Sequence, residues 1–155
     1  MTASIHIICI GKEKRLVEGE TERYIRLLSP YSTVRLTCLK PSAGGKGDDK
    51  VVRVKEGELM RSRWANDAYP VALSEEGTMR DSTEFAAWIA HRTEAGGEPT
   101  FNIGGAYGLA DEVKAACRET ISLSRLTLPH RLCLTVLVEQ LYRAFTILKG
   151  HPYHK

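Results

Sequence analysis

The run Ile5-His6-Ile7-Ile8-Cys9-Ile10 is almost wholly apolar and β-branched and stops at Gly11. That is the pattern of a strand buried on both faces. Arg15 to Leu28 reads as a charged amphipathic helix with Tyr24, Leu27 and Leu28 as its later apolar contacts, stopping before Pro30. Val34 to Leu39 alternates apolar and polar positions, which predicts a half-exposed strand. Pro41 to Gly47 is a flexible Gly/Lys loop, and Asp48-Asp49 opens a helix running to about Trp64. Tyr69 to Leu73 reads as a strand, followed by a turn at Ser74-Glu75-Glu76-Gly77.

Asp81-Ser82-Thr83-Glu84 has the spacing of a capping box, and the helix it starts carries Phe85, Trp88 and Ile89 on one face. Thr100 to Ile103 is a strand running into Gly104-Gly105-Ala106-Tyr107-Gly108, Asp111 to Arg118 a short helix, and Ile121 to Leu123 a last short strand. From His130 onward Leu132, Leu134, Val136, Leu137, Val138, Leu141, Phe145, Ile147 and Leu148 make the helix too apolar for one buried stripe. Two of its faces are therefore covered, the second by the sheet or by another subunit. Strand and helix alternate along the chain, so the expected fold is α/β, a mostly parallel sheet with helices on both faces. No repeat or linker divides it, and a single domain over residues 1–155 is expected.

At 155 residues the chain can bury a real core. Its 43% hydrophobic and 26% charged content is that of an ordinary globular protein. A net charge of +3 permits a nucleic-acid partner without requiring one. Cys9, Cys38, Cys117 and Cys133 form no C-x-x-C pair and lack zinc spacing, so reduced thiols and no metal are expected. The N-terminus lacks a signal-peptide pattern, and no apolar run approaches the roughly 20 residues of a membrane span. A soluble, cytoplasmic protein with no membrane partner is the expectation.

The chemistry is concentrated in the last third. A glycine turn between a strand and a helix lies where open α/β sheets bind ligands, and glycines let a backbone approach one closely. Neither G-x-G-x-x-G nor a P-loop is present. Leu123, Leu126 and Leu128 in the next loop could wall a flat heteroaromatic ring such as adenine, with main-chain groups reading its edge. Glu139 and Arg143 stand four apart on the long helix, which suits an ion pair or an anion clamp. The tail His151-Pro152-Tyr153-His154-Lys155 combines a stacking face, imidazoles and positive charge, a set that suits a nucleobase and its phosphate. Each part also has a purely structural reading: a tight turn, core leucines, a surface ion pair, a loose terminus.

Taken together, Gly104-Gly105-x-x-Gly108, Leu126-Thr127-Leu128-Pro129-His130, Val138-Glu139-Gln140-Leu141-Tyr142-Arg143-Ala144 and His151-Pro152-Tyr153-His154-Lys155 resemble the RlmH family of SPOUT-class 23S rRNA (pseudouridine-1915) N3-methyltransferases. Weaker agreement at Ile10-Gly11-Lys12, the loop near residue 45, Lys55-Glu56-Gly57, Leu73 and Gly77 extends it over essentially the whole chain. The resemblance implies a C-terminal trefoil knot, against the general rarity of knots. It implies S-adenosylmethionine held by Leu73, Gly104, Leu123, Ser124, Arg125, Leu126, Thr127 and Leu128. A homodimer with the pocket near its interface and a modified base of 23S rRNA on the assembled ribosome are implied as partners.

In such a reaction the imide nitrogen must lose a proton. Tyr153, His154, Glu139 and Arg143 are then the catalytic candidates, with His154 and Glu139 as possible bases and Tyr153 stacking or orienting. Arg143, Tyr153, His154 and Lys155 would meet the RNA. Ser74, where some relatives carry an acid, and Ala106-Tyr107 inside the glycine turn depart from the pattern. The competing reading is a non-catalytic RNA- or nucleotide-binding module using the same loops.

Overall fold

The protein is described by a computed structural model covering residues 3–42 and 49–155. The Gly/Lys loop near residue 45 and Asp48 lie outside the described residues. Five strands, β1 (Ala3–Ile10), β2 (Ser32–Leu39), β3 (Ala68–Met79), β4 (Glu98–Asn102) and β5 (Glu119–Ser122), form one sheet in the order β2-β1-β4-β3-β5. Every pairing is parallel, with β1 and β2 in unbroken register from Ala3↔Ser32 to Ile10↔Leu39.

The continuous apolar run of β1 is explained by burial on both faces, as parallel strands require. Ile5, Ile7 and Cys9 join one core cluster with Phe85, Ile89, Leu134, Leu137 and Leu141. Ile8 and Ile10 point the other way, into a smaller cluster with Leu39, Met60, Ala110 and Val113. The period-two alternation of side chains thus feeds two cores from one strand. The larger is roofed by α2 (Glu20–Leu28), α4 (Ser82–Glu94) and α6 (His130–Lys149), the smaller by α3 (Asp49–Ser62) and α5 (Asp111–Ala116).

Three sequence expectations are corrected. The single helix expected from Arg15 is split into α1 (Glu13–Val17) and α2, because Gly19 adopts φ +84°, which interrupts helical geometry. The expected turn at Ser74–Gly77 is instead part of β3. Leu73 and Thr78 both pair with Ile121, so the intervening residues form a bulge. Gly77 permits this because a Cβ there would sit 2.6 Å from the Thr120 carbonyl. The last strand is also displaced, starting at Glu119 and ending at Ser122.

The Asp81 capping box forms as expected: the Asp81 carboxylate accepts the Glu84 N–H at 2.7 Å, and the Glu84 carboxylate accepts the Asp81 N–H at 3.4 Å. Helix α6 spans 20 residues, about 30 Å. Gly150 ends it in the left-handed region at φ +71°, and the His151 N–H then donates to Thr146 O at 2.9 Å. That cap turns the tail back along the helix. Among the described residues no helix is long and apolar enough to cross a membrane.

Candidate functional site

The bulge of β3 and the loops that leave β4 and β5 at their carboxyl ends enclose a cavity of about 800 Å³. This is the edge of a parallel sheet where ligands gather, and the volume is that of a small-molecule site. Leu73 and Ser74 come from β3, Gly104 to Leu109 from the loop after β4, and Leu123, Ser124, Leu126, Thr127 and Leu128 from the loop after β5. His130 and Cys133 at the start of α6 add to the lining, with Arg53 of α3 and Asp111 and Lys114 of α5. Arg125 is exposed and does not line the cavity.

Both loops are shaped by short-range constraints. A Cβ on Gly104 would lie 2.5 Å from the Gly108 carbonyl carbon and 2.7 Å from Leu109 N, so the two sides of the loop approach as only glycine allows. The Gly108 N–H donates to Gly105 O at 3.0 Å, and Gly108 itself sits at φ +82°. In the second loop Ser124 Oγ accepts the Leu126 N–H at 3.0 Å, while Ser122 Oγ donates to Ser124 O at 2.9 Å. This turn leaves Leu126 73% exposed at the cavity mouth. Aliphatic walls, a bare glycine edge and polar loop backbone make a donor set that fits an adenosine with a charged tail.

One residue behind this cavity had no role in the sequence reading beyond the short Lys55-Glu56-Gly57 match. Glu56, on the inner face of α3, is 5% exposed, and its Oε1 has no hydrogen-bond partner among the described residues. Its Oε2 accepts the Ser42 N–H at 3.2 Å. Burial pushes the carboxyl up from the ordinary range, against the opposing pull of the Ser42 N–H and the His130 charge. The signal available in sequence was a glutamate spaced i, i+4 from Val52 and Met60, both buried.

The tail forms a second cluster. Glu139 Oε1 accepts from Arg143 Nη2 at 2.6 Å, Arg143 Nε at 3.0 Å and Tyr153 Oη at 3.2 Å, and Glu139 Oε2 accepts from Gln140 Nε2 at 2.7 Å. Arg143 lies over the Tyr153 ring, 4.8 Å from its centroid, and its Nη1 donates to His154 Nδ1 at 3.1 Å. Because a guanidinium can only donate, His154 Nδ1 is the acceptor nitrogen and Nε2 carries the proton. Tyr153 stacks edge-on against Tyr142 at 4.7 Å, and its hydroxyl meets Tyr24 Oη at 3.0 Å. Burial, the Tyr24 hydrogen bond and the Glu139 charge all push the Tyr153 phenol up, so it is a donor at neutral pH. Arg143 is held further above its usual value, first by its hydrogen bonds to Glu139. His151 Nδ1 meets Tyr31 Oη at 3.0 Å. Lys155 is exposed beyond this cluster.

The structure therefore brings Leu73, Gly104, Leu123, Ser124, Leu126, Thr127 and Leu128 together, and separately brings Glu139, Arg143, Tyr153 and His154 together. It does not join the two groups within one chain. His130 at the cavity and Glu139 at the tail are nine residues apart on α6, about 14 Å along its axis.

Comparison with known proteins shows the family. A family model described as a predicted SPOUT methyltransferase matches residues 3–154. The chain is 42% identical over 159 aligned positions to the ribosomal RNA large subunit methyltransferase H of Listeria monocytogenes, covering 98% of this chain and 99% of the relative. It is 41% identical over 157 positions to the protein of the same name from Syntrophomonas wolfei, covering 96% and 98%. Among solved structures, a probable methylase family protein from Haemophilus influenzae superposes with a TM-score of 0.58 at 14% identity. That match covers all of this chain and 72% of the other, and shows a shared fold.

Proposed function

The chain belongs to the ribosomal RNA large subunit methyltransferase H family of SPOUT methyltransferases, and from that membership we propose that it methylates N3 of pseudouridine 1915 in 23S rRNA, using S-adenosylmethionine, on the assembled ribosome. The observation that carries the cofactor assignment is the cavity itself. Its glycine edge at Gly104 cannot accept a side chain, and its aliphatic walls come from Leu73, Leu123, Leu126 and Leu128. When bound there, S-adenosylmethionine supplies an electrophilic methyl group on a sulfonium. The role left to the protein is alignment, exclusion of water and management of one proton.

The tail cluster supports the substrate assignment. Glu139 accepts four hydrogen bonds and so orients Arg143 and Tyr153 in preference to taking a proton itself. The Arg143 guanidinium and the His154 Nε2–H stabilise the imide anion that forms as N3 loses its proton to water. Tyr153 gives the base a stacking face, and Lys155 meets phosphate. The separation of tail and cavity within one chain fits a homodimer in which one copy's tail completes its partner's pocket. Apolar groups lining the cavity support this: Leu126 is 73% exposed and Tyr107 50%. In this reading residues 1–155 are one domain, its C-terminal part forms the trefoil knot of the family, and the protein works in the cytoplasm.

The test is transfer of labelled methyl from S-adenosylmethionine to purified ribosomes and to protein-free 23S rRNA. Label in the ribosomes and little in the naked RNA supports the reading. Equal labelling of both removes the ribosome requirement. No donor binding by calorimetry favours a non-catalytic RNA-binding module.

A further inference from the structure

Among the described residues, two buried side-chain atoms lack a hydrogen-bond partner: Glu56 Oε1 and Arg80 Nη1. Arg80 already pairs with Glu119 through its other terminal nitrogen at 3.3 Å. Among the described residues Glu56 has no ion-pair partner, and a buried carboxylate without one is costly to keep. Its position shows where that cost is directed. An ideal Cβ on Gly105 would stand 3.1 Å from Glu56 Oε1 and 3.2 Å from Ile10 Cγ2. The same Gly105 lines the 800 Å³ cavity. One layer of main chain, bare of side chain, thus separates an unpaired carboxyl group from the donor site.

The charged groups around the cavity make this carboxylate distinctive. Arg53 and Lys114 supply positive charge to the lining, and Lys114 is paired with Glu76 at 2.6 Å. Glu75 and Asp111, the lining acids, are exposed to solvent, which screens them. Among the described residues the buried acids are Glu56 and Glu98, and Glu98 stands at the opposite, amino-terminal end of its strand, paired with Arg35. Of the described acids, Glu56 is therefore the one whose field enters the cavity through low-dielectric protein rather than water.

We propose that Glu56 is a specificity-determining residue that reads charge in the donor: through Gly105 its carboxylate favours the sulfonium of S-adenosylmethionine over the neutral thioether of S-adenosylhomocysteine. The inference rests on the donor assignment made above. The two molecules differ by one methyl group and one positive charge, since loss of the methyl leaves its bonding pair on sulfur. A carboxylate that attracts only the charged form holds the donor and loosens its grip once the charge is gone. Spent donor is thereby released without any contact being broken. Glu56 touches neither molecule in this account and acts through the field it projects past Gly105.

The test is the ratio of two dissociation constants, measured by calorimetry on the full-length protein with S-adenosylmethionine and S-adenosylhomocysteine. Glu56→Gln keeps shape and removes the charge. It is expected to weaken S-adenosylmethionine about tenfold, a loss on the scale of one charge pair at an effective protein dielectric, and to leave S-adenosylhomocysteine within about twofold. Equal weakening of both, or no change in either, overturns the proposal, because a merely structural glutamate shifts both ligands together. If Glu56→Gln does not yield folded protein, Glu56→Asp carries the test. It draws the charge back from Gly105 by one methylene and is expected to weaken S-adenosylmethionine about threefold more than S-adenosylhomocysteine, a parallel loss again being contrary. Failure of the unaltered protein to bind either molecule counts against the donor assignment itself and is thereby distinguished from failure of the Glu56 role.

Discussion

The hydroxyls of Tyr24 and Tyr153 meet at 3.0 Å, joining the second helix to a tail residue 129 positions further along the chain. A terminal segment of five residues would ordinarily be loose. Here Tyr24 of α2, Tyr31 just before β2, and Glu139, Tyr142 and Arg143 of α6 contribute an aromatic ring or a charge to hold it. Tyr24→Phe removes one hydrogen bond worth about 1 kcal/mol and leaves the ring packing intact. The rate of methyl transfer should fall roughly fivefold, with the dissociation constant for S-adenosylmethionine unchanged. Single-turnover kinetics beside calorimetry separates these quantities.

Deleting Tyr153 to Lys155 takes the same logic to its limit. Transfer should be abolished while donor binding survives, because the donor cavity of each chain is lined by that chain's own loops, and the partner's tail meets it only on the substrate side. A truncated protein that still turns over would show that the tail is not part of the catalytic apparatus.

Arg143→Ala leaves the Glu139 carboxylate, 19% exposed, without the guanidinium that holds it, and frees His154 from its orienting donor. Transfer should drop by two orders of magnitude or more, on the scale of a lost anion-stabilising donor. Arg143→Lys should rescue little of it, since an ammonium cannot bridge Glu139 and His154 with the same fork. Steady-state rates for both variants, with melting temperatures as a fold control, check this.

Gly104→Ala places a methyl 2.5 Å from backbone carbon. The loop must open to admit it, so donor affinity should fall at least tenfold and the melting temperature should drop by several degrees, as overpacking of about 1–3 kcal/mol implies. Calorimetry and thermal unfolding measure the two effects independently.

Stability should depend on pH through His6, which is 1% exposed in the sheet and bonded to Thr37 at 2.7 Å. Burial first, and then the charge of Arg35, lower its pKa below 6.5, with Glu98 opposing. The unfolded chain therefore binds the proton before the folded one does. Stability from neutral His6 is present above about pH 6.5 and is lost as pH falls below it. Urea midpoints should decline from pH 7.5 to 5.5, and His6→Gln should flatten that decline.

Much of the scaffold was legible in sequence because local chemistry and tertiary structure agree. The apolar run of β1, the Asp81 capping box and the excess of leucines in α6 each name a buried face that the fold then buries. The failures have physical causes. Ser74-Glu75-Glu76-Gly77 has turn composition, yet β5 pairs on both sides of it and makes it a bulge. Gly19 breaks a helix whose flanking charges gave no warning. The spacing of Glu56 from Val52 and Met60 marks it as inward-facing, but its significance depends on Gly105 arriving from the loop after β4, which no local pattern announces. The assembly of the tail was likewise invisible, because Tyr24 and Tyr31 become its partners only when α2 and β2 settle beside α6.

The most direct measurement is mass mapping of 23S rRNA from a strain lacking this gene, before and after its ribosomes are incubated with the purified protein and S-adenosylmethionine. The account predicts a single added methyl group, confined to the fragment bearing pseudouridine 1915 and located on N3. Methylation at another nucleotide, or ribosomes left unmodified by a protein that binds the donor, would contradict it.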